Sequence, residues 1–308
     1  MSCRVFDKVK CIETTKALLA TRTDDMKSNQ TVFKPQVPET KFTTSIGAKV
    51  RYADVGKGRV VVLIHGFLES LEVWFGNGFA QSLAKHYRVI AIDLPGHGKS
   101  ECVGYVHRME RIAKVVKDVM DEIGLRRYTV VGHSMGGYVA LAFAEKYPEH
   151  VSGLCLFHST SLPDTEAKKI DRERAIRVVK KSPTKYTNAL IGNLFALANV
   201  RYFKSEITWL KRMAAKTKKQ GIVACLEGMK IRKNRENILR YAAFPVLIIA
   251  GTRDNVIPFE SAETQSKLPA DCRFLALDKT GHMGFLEAKE KSLKKLKAFC
   301  GYTFRSGK

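Results

Sequence analysis

The sequence predicts an α/β fold, a mostly parallel sheet of about eight strands with helices on both faces and an inserted helical cap, and three observations lead there. Short apolar runs rich in Val and Ile recur between helix-like stretches from residue 59 to residue 277. Strands alternating with helices build a parallel sheet covered on both faces. A serine stands between glycines in Gly132-His133-Ser134-Met135-Gly136, where a strand-like run meets a helix-like one. The third observation is a gap: roughly 90 residues separate the run ending at Phe157 from the one starting at Pro245 and carry helical patterns but no buried strand, which is too long for a structureless connection.

The elements follow in order. Lys41 to Val55 reads as an opening hairpin, with polar and apolar residues alternating around Ile46-Gly47-Ala48 and a strand at Lys49-Val50-Arg51-Tyr52. Arg59 to Ile64 is a strand, followed by the loop His65-Gly66-Phe67-Leu68-Glu69-Ser70 and a helix from Gly78 to His86. Tyr87 to Ile92 is the next strand and ends in Asp93-Leu94-Pro95-Gly96-His97-Gly98; a helix over Val106 to Ile123 comes after it. Arg127 to Val131 is short, β-branched and aromatic, as a buried parallel strand is. The helix from Met135 stops at Tyr147 because Pro148 cannot continue it. Val151 to Phe157, Pro245 to Ala250 and Arg273 to Leu277 complete the sheet, and a helix from Glu287 to Phe299 closes the chain. Within the gap the helical candidates are Ala167 to Lys180, Lys185 to Leu197, Ser205 to Thr217, Ile222 to Lys230 and Glu236 to Tyr241. The expected organisation is a core from 41–157 and 243–308, a cap over 158–242, and a poorly ordered extension over 1–40. An alternative start at Met26 stays open for that extension.

Composition narrows the function classes. The 308 residues are 45% hydrophobic, enough for a sizeable core, and no apolar run approaches the roughly 20 residues of a membrane span. Ala17-Leu18-Leu19-Ala20 is too short for the apolar segment of a secretory signal. The seven cysteines are odd in number and form no CxxC pair, which speaks against a disulfide framework or zinc site and for a reducing, cytoplasmic setting. The net charge is +23. Residues 158–242 hold 20 Lys and Arg against 7 Asp and Glu, so more than half of the excess lies in that segment. A positive surface attracts anionic ligands, yet no nucleic-acid-binding motif accompanies it, and no specific nucleic-acid partner is expected. Nothing resembling HExxH, a Walker A loop or a dinucleotide fingerprint is present, so neither metal nor cofactor is expected. Oligomeric state is not encoded in any motif.

The chemistry is expected at Ser134. A strand that turns sharply into a helix through a serine needs its flanking positions clear of side chains, which Gly132 and Gly136 supply. The result is a nucleophile elbow that presents the hydroxyl at the sheet edge, beside a helix N-terminus that favours negative charge. A serine needs a base, and the base an orienting acid. His282 and Asp254 both follow strand ends, where ligands gather in open parallel sheets. Asp254 is favoured over Asp278, which lies too close to His282 in sequence, and over Asp164. Backbone N–H groups of Phe67 and Met135 are the expected oxyanion donors. Leu68, His158, Phe195, Trp209 and Val256 are the candidates for contact with substrate. His65 and His97 are expected to hold loop backbone, His133 to pack or hydrogen-bond beneath the elbow, and Asp93 to accept from backbone N–H groups.

With His65-Gly66-Phe67, Asp93-Leu94-Pro95-Gly96-His97-Gly98-Lys99-Ser100, Gly132-His133-Ser134-Met135-Gly136-Gly137, Asp254 and Gly281-His282 in this order, the chain resembles the α/β-hydrolase superfamily from about residue 45 to 300. The resemblance implies a serine hydrolase acting on a small acyl substrate, and the positive charge of residues 158–242 favours an anionic one. Because Ser134 occupies the elbow, the members that attack with aspartate there, epoxide hydrolases and haloalkane dehalogenases, are excluded. Carboxylesterases, carbon–carbon bond hydrolases, aminopeptidases and lipases all share such motifs. A hydrolase fold kept as a binding module is the alternative of another class.

Overall fold

The computed structural model describes residues 36–304, so the expected extension up to position 35 and the alternative start at Met26 lie outside the described residues. Eight strands form one sheet in the order β1-β2-β4-β3-β5-β6-β7-β8. They are β1 (Thr40–Ser45), β2 (Ala48–Val55), β3 (Val60–Ile64), β4 (Arg88–Ile92), β5 (Tyr128–His133), β6 (Val151–Phe157), β7 (Val246–Gly251) and β8 (Cys272–Leu277). β1 and β2 pair antiparallel, as do β2 and β4, and all later pairs are parallel. Strands β3, β5, β6 and β7 are buried along their whole length, which is why they read as continuous apolar runs rather than alternating ones.

The helices are α1 (Glu72–Phe75), α2 (Phe79–Ala84), α3 (Met109–Glu122), α4 (Met135–Lys146), α5 (Glu166–Lys181), α6 (Pro183–Gly192), α7 (Lys204–Ala215), α8 (Lys219–Lys230), α9 (Glu236–Arg240), α10 (Phe259–Ser266), α11 (Gly284–Glu287) and α12 (Lys289–Thr303). Helices α5 to α9 all fall between β6 and β7. None of the described helices is long and apolar enough to cross a membrane.

Helix α4 is the most deeply seated, with every residue from Met135 to Ala144 buried; it follows the elbow and lies against β5 and β6. Aromatic side chains of α1, α2 and α11 pack together in the core. Trp74 of α1 is fully buried, its ring centroid 5.0 Å from that of Phe285 and 5.8 Å from that of Phe79. Burying such a side chain contributes about 1.5–3 kcal/mol or more.

Two departures from expectation have physical causes, and one buried charge has its own. Helix α6 ends at Gly192, short of the expected Leu197, because residues 193–196 leave the helix to meet the His282 loop: the His282 N–H donates to the Leu194 carbonyl at 2.7 Å. Helix α3 starts at Met109 rather than Val106, the His107 N–H being taken by the Ala224 carbonyl of α8 at 2.9 Å. Arg51, polar in a buried strand position, is matched by Asp93 at 2.5 Å and Glu72 at 3.2 Å. Asp93 also accepts the Leu71 and Lys99 N–H groups, so one carboxylate ties β2, the loop after β3 and the loop after β4 together.

Candidate active site

Ser134 lies between β5 and α4 with φ 51° and ψ −118°, a conformation that costs a non-glycine residue of order 1–3 kcal/mol and persists only where the surroundings enforce it. They do so here. The Ser134 N–H donates to the Phe157 carbonyl, and its own carbonyl accepts from the Gly137 N–H and the Ser159 hydroxyl, all between 2.8 and 3.0 Å. A Cβ at Gly132 would sit 2.3 Å from the Gly136 carbonyl oxygen, and one at Gly136 would sit 2.3 Å from that of Ile64. The sequence pattern GxSxG is thus the consequence of two close backbone approaches.

His282, on the loop after β8, directs Nδ1 at both carboxylate oxygens of Asp254, at 2.9 and 3.1 Å. Asp254 follows β7, and its Oδ1 also accepts the Val256 and Ile257 N–H groups at 2.8 and 3.0 Å. Burial works to raise the Asp254 pKa, but the charges and hydrogen bonds of His282 and His158 hold it well below the ordinary carboxylate range. An anionic acid beside Nδ1–H leaves Nε2 of His282 as the basic nitrogen. Asp278 is exposed and bonds Thr252, while Asp164 pairs with Arg172 and Arg232; neither approaches His282.

Ser134 and His282 open into one cavity of about 590 Å³, lined also by Phe67, Glu69, Arg172 and Val256 among others. The Phe67 and Met135 backbone N–H groups have no hydrogen-bond partner among the described residues. Met135 begins α4, whose unpaired amide groups and dipole favour an anion at that end.

Of the residues expected to contact substrate, Val256 lines the cavity and the other four do not. Leu68 adopts φ 65° and turns its side chain into the core, its N–H bound to Nε2 of His97 at 3.1 Å. His158 is turned onto Asp254, Nδ1 to Oδ2 at 3.0 Å. Phe195 is buried against Phe203, with centroids 5.6 Å apart, and Trp209 packs half-buried against the core from α7. Helical spacing marked these as apolar faces but did not say which way each face turned. His158 is a second donor to the acid rather than a wall of the cavity. Burial lowers its pKa to about 4, so it is neutral with the proton on Nδ1.

The structural readings of the other histidines hold. Nε2 of His65 accepts the Leu94 N–H at 3.0 Å, and His97 holds Leu68 as described. His133 lies beneath the elbow, Nε2 on the His282 carbonyl at 3.0 Å and Nδ1 on Glu69 at 3.1 Å. Two acidic residues were not singled out from sequence. Glu69 is buried, binds the Gly66 N–H at 2.6 Å and pairs with His133. Glu287 accepts from the Gly281, Met283 and Ala196 N–H groups and the Asn199 amide, fixing the His282 loop against residues 196–199. Glu69 sits in the loop His65–Ser70, where its charge directly after Phe67 and Leu68 was a usable signal; Glu287 carried none.

A family model described as alpha/beta hydrolase fold matches residues 59–289. Over 259 residues, 82% of this chain and 67% of the other, the sequence is 29% identical to the dihydrolipoyllysine-residue acetyltransferase component of the acetoin cleaving system of Pseudomonas putida. Over 117 residues, 35% of this chain and 39% of the other, it is 41% identical to a 2-hydroxy-6-oxononadienedioate/2-hydroxy-6-oxononatrienedioate hydrolase of Paraburkholderia phymatum. The structure of a thermophilic esterase from Thermogutta terrifontis with malate bound is similar at a TM-score of 0.81 and 27% identity, covering 86% of this chain and 99% of that one. With eight strands in this order, the elbow at the end of β5 and a family match over three quarters of its length, the chain belongs to the α/β-hydrolase fold family.

Proposed function

We propose that this protein is a serine hydrolase that cleaves an ester-like or related acyl bond of a small molecule through an acyl-enzyme. Ser134 attacks the carbonyl while Nε2 of His282 takes its proton; the Phe67 and Met135 N–H groups receive the oxyanion. His282 then protonates the leaving group, and water activated by the same nitrogen releases the acid and restores Ser134. Asp254 holds the imidazole in the required tautomer. Residues 158–242 act as a cap over the core of 41–157 and 243–308. The free cysteines among the described residues are in keeping with a reducing cytoplasm.

The observation that carries this reading is the His282–Asp254 pair at 2.9 Å opening, with a strained Ser134, into one cavity. Its test is hydrolysis of p-nitrophenyl esters by Ser134→Ala. The expected result is loss of turnover to background, and wild-type rates in that variant would refute the mechanism.

A carbon–carbon bond hydrolase with the same three residues is the second reading, favoured by the similarity to the P. phymatum enzyme, whose name describes a hydrolase of oxo-dienedioates. An aminopeptidase fits less well, since a substrate amine calls for carboxylates and this cap is basic. A binding module has no use for an activated serine, and labelling of Ser134 by a fluorophosphonate separates it from the enzyme readings.

A further inference from the structure

The inner face of α5 sets four residues into the cavity, Lys168, Asp171, Arg172 and Ala175, at the i, i+3, i+4, i+7 spacing of one helical face. Three carry charge, and their partners decide what that wall offers. Asp171 is exposed and held by Arg174 at 3.2 Å. Glu69, the other carboxylate of the lining, is taken by the Gly66 N–H and by His133. Asp164 sits behind the wall and is shared by two guanidinium groups: Arg172 reaches it through Nε and Nη2, and Arg232 through Nη1. Arg232 is engaged through Nε with the Leu162 carbonyl and through Nη1 with the Met229 carbonyl as well, its guanidinium lies over the Tyr138 ring, and it does not line the cavity.

One carboxylate against two arginines leaves a positive charge uncompensated, and of the two only Arg172 lines the cavity. Its side chain is 14% exposed, and its Nη1 has no partner among the described residues. Lys168, on the same face and exposed, adds a second cation whose Nζ has no partner among the described residues. A half-buried guanidinium with a free fork arm favours a planar oxyanion such as a carboxylate. The rest of the lining is largely apolar, including Leu190, Leu194, Leu226 and Met229, which suits hydrocarbon.

We infer that Arg172 is the subsite for a substrate carboxylate, and that the substrate is an ester whose acyl chain carries a carboxylate remote from the scissile bond. This rests on the hydrolase reading above and names its substrate class. Asp164 pre-positions the guanidinium through two of its three nitrogens, so little side-chain freedom is lost when the anion arrives.

The experiment compares kcat/KM for monomethyl esters of glutaric, adipic and suberic acids with that for the matching dimethyl esters, at neutral pH where the monoester is an anion. The expected result is a preference of about tenfold or more for the best monoester, the value of one charge-assisted hydrogen bond. Arg172→Gln removes most of that preference; Arg177→Gln, which deletes an equal charge on the same helix away from the cavity, keeps it. Asp164 retains Arg232 in the Arg172 variant, and an undiminished rate of fluorophosphonate labelling at Ser134 checks that its site is intact. The assignment is overturned if dimethyl esters are preferred at every length, if Arg172→Gln leaves the ratio unmoved, or if Arg177→Gln lowers it equally. A wild-type protein that takes none of these esters overturns it too, and labelling of Ser134 then tells whether the hydrolase reading falls with it.

Discussion

Removing the Glu69 side chain tests whether a buried ion pair holds the loop after β3 to the loop that carries His282. Glu69 and His133 are 2% and 0% exposed. His133 meets acceptors at both nitrogens, the Glu69 carboxylate at Nδ1 and the His282 carbonyl at Nε2. Both nitrogens therefore carry protons, and the ring is an imidazolium. Burial acts against that charge, but Glu69 and the two hydrogen bonds outweigh it and hold the His133 pKa above its ordinary 6.5. In Glu69→Ala the imidazolium and the Gly66 N–H lose their partner in the interior, which costs about 3–5 kcal/mol, a large share of a total stability of about 5–15 kcal/mol. In Glu69→Gln the amide oxygen accepts from Gly66 and the amide nitrogen donates to Nδ1, so His133 turns neutral with its Nε2–H bond intact. That exchange costs about 1 kcal/mol. Urea denaturation reads both. Burial would raise Glu69, but His133 and the Gly66 N–H hold its pKa below its ordinary 4.5, so its contribution is present above that pH and lost as pH falls through the folded value. The His133 contribution is present below 6.5 and lost as pH rises through its raised folded value. The wild-type advantage over Glu69→Gln is thus greatest between pH 4.5 and 6.5. Equal losses in the alanine and glutamine variants, or an advantage that is flat with pH, would refute the imidazolium pair.

Other outcomes follow from the same geometry. Asp254→Asn takes the orienting anion from His282 and lowers kcat by about 10⁴-fold, with stability measured alongside because His158 loses its carboxylate partner too. Acid should destabilise the fold: burial lowers His65, His97 (to about 3), His107 (to about 4) and His158 (to about 4) from 6.5. The unfolded chain takes up protons below pH 6.5 that these four do not accept until lower pH, so stability falls by up to about 1.4 kcal/mol per histidine per pH unit, seen as a lower urea midpoint at pH 5 than at pH 7.5. Gly136→Ala drives a Cβ into the Ile64 and His65 carbonyls, and the backbone shift costs about 1–3 kcal/mol and displaces Ser134, read by the thermal midpoint and by the rate of fluorophosphonate labelling.

Much of this architecture was legible because backbone constraints write themselves into residue choice. Buried parallel strands demand apolar runs, and β3 to β7 appear within one or two residues of their expected limits. The elbow needs glycines where backbones touch, and so announces itself. Asp254 and His282 were found because both follow strands that could be placed. Side-chain direction was not legible in the same way. Trp209 occupies an apolar helical position as expected and Phe195 lies beyond the end of α6, yet both rings pack inward, whereas Leu194, one residue from Phe195, faces the cavity. Long-range polar pairing was hidden as well. Arg51 with Asp93, Glu69 with His133 and Glu287 with Ala196 join residues 42 to 91 positions apart, and no local pattern records such partners. The charge excess of residues 158–242 was visible as a sum, but only the partners of Asp164 reveal which arginine faces the cavity with a free donor.

The central claim is that Ser134 becomes acylated during turnover, and rapid quenching with p-nitrophenyl acetate tests it most directly. The account predicts a burst of about one nitrophenolate per chain where deacylation limits the rate, one acetyl group on the peptide containing Ser134, and neither in Ser134→Ala. Steady turnover with no acyl group on that peptide, or an undiminished burst in the alanine variant, would contradict it.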